Sequence, residues 1–121
     1  MLGRPLLCWA HRCWKRGFAA KLISAVFAGW LIALMIWLLP LAESSPIPII
    51  LIITYTIGLA GLAHAIAGSA EALYVVTSGA ATYGQYLVGF LIPAFIGNAI
   101  GGVALVAALN YAQVYAGRAR R

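Results

Sequence analysis

Between Lys21 and Arg118 the chain has no lysine or arginine, and Glu43 and Glu71 are the only acids in all 121 residues. A soluble domain would carry far more charge along such a length, because about a quarter of its residues are normally Asp, Glu, Lys or Arg. Here the charged share is 8% against 64% hydrophobic residues, and the bases gather at the ends: Arg4, Arg12, Lys15, Arg16 and Lys21 before the apolar sequence, Arg118, Arg120 and Arg121 after it. That distribution predicts an all-α integral membrane protein whose tails meet lipid headgroups. A net charge of +6 does not point to nucleic acid, since no basic face with base-reading groups can form from two short tails.

Three spans are expected. Residues 22–39 form an 18-residue apolar run with Ser24 as its only polar member, long enough as a helix to cross a hydrocarbon core. Ala25, Gly29 and Ala33 recur every four residues and make a small-residue stripe for close helix packing. A secretory signal is the competing reading of this region, but its apolar core exceeds the usual signal length and more spanning sequence follows. Prolines and Glu43 in residues 40–48 predict a tight turn.

The second span is expected over 47–66, then a break at Gly68-Ser69 and a half-helix over 69–77. Glu71 then falls in the first turn of that half-helix, either favoured by the helix's positive end or placing charge at the mouth of a pore. A loop follows over 77–84, and Tyr83, Tyr86 and Phe90 suggest a short interfacial helix. Pro93 is expected to open the last span, 93–115, in which Gly97 and Gly101 form a GxxxG packing face around Asn98. Residues 1–21 read as a basic lead outside the fold, 22–117 as one membrane unit and 118–121 as a basic tail. Trp9 and Trp14 in the lead suit an interface. Cys8, His11 and Cys13 offer three ligand-type residues without a fourth, so neither metal nor cofactor is expected. No nucleophile, acid–base pair or metal cluster converges in sequence, and an enzyme is not expected.

The candidate functional residue is His64, an ionisable group amid glycine and alanine in an apolar run, where such groups are costly and usually serve a purpose. The bland alternative is a histidine that only hydrogen-bonds to a neighbouring helix.

His64 within Gly61-Leu-Ala-His-Ala-Ile-Ala-Gly-Ser, followed by Phe90-Leu-Ile-Pro-Ala-Phe-Ile-Gly-Asn-Ala-Ile-Gly-Gly, resembles the second repeat of the formate/nitrite transporter family, nearest its less characterised branch. The resemblance covers residues 24–115. It implies half of an inverted-repeat, aquaporin-like channel fold, homopentamers with one pore per protomer, and small monovalent anions passing with a proton. It also implies that His64 is the central pore histidine. Ile57, seven residues before it on the same helical face, is a candidate apolar gate, and Ala67, Gly68, Ser69, Glu71, Phe90 and Asn98 are further pore candidates. An anion approaching an imidazole in an apolar site favours its protonated form, so a weak-acid anion would meet a proton donor where its charge is costliest. Ala63 before the histidine and Gly68-Ser69 after it depart from the residues usual in formate- and nitrite-conducting members, and leave the anion unspecified. One repeat of two is present, which implies a partial chain, a separate partner or antiparallel copies; the alternative is an inactive membrane fragment. A bacterial cytoplasmic membrane is the expected location.

Overall fold

The computed structural model describes residues 15–42 and 44–119. Cys8, Trp9, His11, Cys13, Trp14, Glu43 and the terminal arginines Arg4, Arg12, Arg120 and Arg121 lie outside the described residues. All regular elements among the described residues are helical: α1 (Phe18–Leu38) with a 3-10 turn (Leu39–Leu41), α2 (Pro46–Leu59), α3 (Ala65–Thr77), α4 (Tyr83–Tyr86), a π-helical turn (Leu87–Leu91) and α5 (Ile92–Ala119). Two helical stretches, Phe18–Leu41 and Tyr83–Arg118, are long and apolar enough to cross a membrane, whereas α2 and α3 are apolar but short.

The core is the packing of α1 on α5. Gly97 sits against Leu22 and Ala25, Gly101 against Val26 and Trp30, and Gly102 against Gly29 and Ala33, so the contacts advance along both helices in the same direction. The two helices are therefore parallel. A Cβ on Gly29 would fall on the Asn98 backbone and one on Gly101 on the Val26 carbonyl, which is why glycine stands at these places: the backbones meet with no side chain between them. Many large apolar side chains face outward, among them Ile23, Phe27, Ile52, Phe95 and Val103, as lipid or further protein as solvent would require.

Three boundaries differ from the sequence expectation. The first helix starts at Phe18, so Lys21 belongs to the fold and is only 7% exposed. The break in the middle segment precedes the histidine, at residues 60–64, while Gly68 and Ser69 lie inside α3. Gly61 causes it: with φ of 59° it adopts the left-handed geometry that glycine accepts without strain. Its N–H bonds the Gly58 carbonyl while Leu62 N–H bonds the Ile57 carbonyl, the pair of contacts that ends a helix in a Schellman motif. Gly79, φ 80°, ends α3 in the same way. Glu71 is consequently in the middle of α3, and that helix has no acid in its first turn.

The third difference is at Pro93, which does not open a helix. A continuous helical path runs from Tyr83 into α5, passing through the π turn, where Ile92 N–H bonds the Leu87 carbonyl. Proline has no N–H for the carbonyl four residues back and its ring crowds that carbonyl; a π turn opens the ladder at that point. The carbonyl concerned is that of Gly89, and it accepts a hydrogen bond from Lys21 Nζ at 2.5 Å. Lys21 thus replaces the donor that Pro93 lacks.

Candidate functional site

The interrupted segment leaves peptide groups without helical partners in the middle of an apolar molecule, and such groups must find others. Side chains from the two long helices supply them. Ala63 N–H donates to Ser24 Oγ at 3.0 Å, Asn98 Nδ2 donates to the Ala63 carbonyl at 3.1 Å, and Ala65 N–H donates to Asn98 Oδ1 at 2.9 Å. Asn98 Nδ2 also donates to the Ala25 carbonyl at 2.7 Å, tying α1, α5 and the break together. At the start of the break the Gly61 carbonyl accepts from Arg16 at 3.2 Å.

His64 lies between these bonded peptides, half-buried, at the N-cap of α3. Its backbone is extended and its Nδ1 accepts from Ala67 N–H at 3.3 Å, the capping role usually taken by Ser, Thr, Asp or Asn. An accepting Nδ1 assigns the proton of the neutral ring to Nε2. The ring therefore has one nitrogen committed to the helix and one N–H left to offer a ligand. The positive end of α3 lies directly behind it, where negative charge is favoured.

The other candidate residues divide clearly. Gly68 is covered by the Phe90 ring, with no room for a Cβ; Phe90 is 3% exposed and belongs to the core with Ala25, Ala63, Ala65, Ala72, Val76, Tyr86 and Ala94. Ser69 Oγ accepts from Tyr86 OH at 2.9 Å. Ile57 is buried on α2, and Ala67 is exposed on α3. Glu71 is half-buried. Asn98 turns its amide to the backbone on either side of His64 and to α1. Ala25, Gly29, Ala33, Gly97 and Gly101 are all buried. The sequence reading passed over Ser24, Lys21, Arg16 and Tyr86. For Ser24 the signal was present, since it is the only hydroxyl in its apolar run.

A family model described as formate/nitrite transporter matches residues 6–112. The match begins inside the lead that was expected to stand apart from the fold. Over 91 residues the chain is 35% identical to inner membrane protein YfdC of Escherichia coli (strain K12), covering 75% of this chain and 29% of that protein. It is 33% identical over 101 residues to the uncharacterized transporter YrhG of Bacillus subtilis (strain 168), covering 78% of this chain and 36% of that protein. The chain spans about a third of the length of these curated relatives. No solved structure matches it.

Proposed function

Because the chain belongs to the formate/nitrite transporter family, a family of transporters and not of enzymes, we propose that it builds one half of a membrane pore for small monovalent anions, with His64 at its centre. Three crossings suit the chain: α1 outward, α2 and α3 together as one interrupted return, and α4 through α5 outward again. This is one repeat of an inverted-repeat, aquaporin-like channel, whose structural unit begins with the first helix at Phe18. The wall facing His64 then comes from outside these 121 residues, from a second repeat, a separate chain or an antiparallel copy. Assembly into a homopentamer with lipid around it, in a bacterial inner membrane, completes the proposal.

The observation that carries the reading is the setting of His64: an imidazole at the head of a helix, immediately after a break whose peptides are bonded by Ser24 and Asn98. Non-helical backbone at membrane depth is tolerated where protein or a wet cavity receives it, and broken helices aim their positive ends at anionic ligands in many transport sites. An anion such as formate or nitrite would accept from Nε2–H there, and a proton could pass to it on the way. Ile57, Ala67, Gly68, Ser69, Glu71, Phe90 and Asn98 remain the residues proposed around the path, with Gly68, Ser69, Phe90 and Asn98 acting through packing and hydrogen bonds.

The test is anion flux in proteoliposomes carrying the assembled transporter, wild type against His64→Phe. The substitution is expected to abolish formate or nitrite flux and its pH dependence while the protein still elutes as a folded oligomer. Unchanged flux would sink the reading.

A further inference from the structure

Along α3, His64, Gly68, Glu71 and Val75 follow one another at helical spacing and share a face. Gly68 and Val75 are buried there, and His64 and Glu71 half-buried. The Phe90 ring lies on Gly68, so on this face it stands between the histidine and the glutamate. The two titratable groups are about 10 Å apart along the helix axis, from the rise per residue.

Glu71 is the only acid among the described residues, and its Oε2 is sealed from solvent with no hydrogen-bond partner among them. Few titratable groups lie on the elements packed against α3. Tyr86 of α4 gives its hydroxyl to Ser69, and Tyr83 of the same element is exposed. The π turn has no titratable side chain, and neither has α5 from Ile92 to Asn98. Lys21 of α1 reaches this region at the Gly89 carbonyl, and Tyr74 on α3 itself is exposed. A carboxylate in that position would hold an uncompensated charge in apolar surroundings, whereas a carboxylic acid would not.

We propose that Glu71 is a second proton-binding residue of this membrane segment, held as the neutral acid on the opposite side of Phe90 from His64. This rests on the membrane reading of α3 under the proposed function. It extends that reading by giving the face two proton-holding groups divided by one aromatic ring.

The experiment reads protonation without reading flux, so its failure is separate from failure of the His64 pore. Membranes containing the assembled transporter are treated at pH 7 with dicyclohexylcarbodiimide, which partitions into lipid, or with a water-soluble carbodiimide, and peptides are analysed by mass spectrometry. The reagent adds across the acid's O–H: the proton goes to a carbodiimide nitrogen, the oxygen to its carbon, and rearrangement to an N-acylurea releases no leaving group. The expected result is an adduct on Glu71 from the lipid-soluble reagent, little from the water-soluble one, and loss of that adduct in Glu71→Gln. No adduct on Glu71, or equal labelling by both reagents, overturns the proposal.

Discussion

Asn98 makes three hydrogen bonds to backbone groups of α1 and of the break, so one amide fixes the peptides on both sides of His64. Removing it strands buried carbonyls and an N–H, each costing on the order of 1–3 kcal/mol in soluble proteins and less in membranes. Asn98→Leu is therefore expected to destabilise the detergent-solubilised protein by about 2 kcal/mol and to lower its melting temperature; an unchanged melting curve would remove Asn98 from the clamp. His64 and the packing glycines stand out in the sequence, as an ionisable group and a small-residue stripe in an apolar run. The destination of the Asn98 amide could not, because its partners are peptide groups that look alike in any sequence. Gly68 misled for a related reason: glycine serves equally to break a helix or to admit a ring, and only Phe90, 22 residues away, decides between them.

At the scale of elements, the π turn, Pro93 and Lys21 form one unit. Lys21 Nζ donates to the carbonyl that a residue with an N–H at position 93 would otherwise engage, so the effects of altering the two residues should not add. Lys21→Met is expected to be costly in the native background and clearly less so beside Pro93→Ala. A coupling of about 1–2 kcal/mol is anticipated for a hydrogen bond from a charged donor, measured by a double-mutant cycle on thermal or denaturant unfolding. Additive effects would mean that Lys21 stabilises the fold elsewhere. The helices themselves were largely legible from apolar run length, with the junctions as the errors. Proline's local preference allows a helix start; the lysine that makes its interior position tolerable lies 68 residues before the Gly89 carbonyl to which it donates. Gly61 carries a signal for its break, since Leu62 just after it supplies the apolar residue that often accompanies a Schellman end.

For the whole molecule, parallel packing of α1 on α5 through Gly29, Gly97 and Gly101 places the two long helices in direct backbone contact, with apolar side chains turned outward. Gly101→Leu is expected to force them apart and abolish folded protein after detergent extraction, whereas Gly84→Leu, at a site with open space around it, should be tolerated; equal behaviour of the two variants would contradict the interface. The outward surface also predicts that the chain stays in the membrane pellet after an alkaline carbonate wash, and release into the supernatant would contradict a spanning protein. The clamp on the break has a bearing on biogenesis as well. Asn98 is made 35 residues after Ala63 and 33 after Ala65, so the histidine is synthesised well before the side chain that orients its flanking peptides. Translation order thus becomes assembly order: the clamp on the break closes only when α5 arrives beside α1.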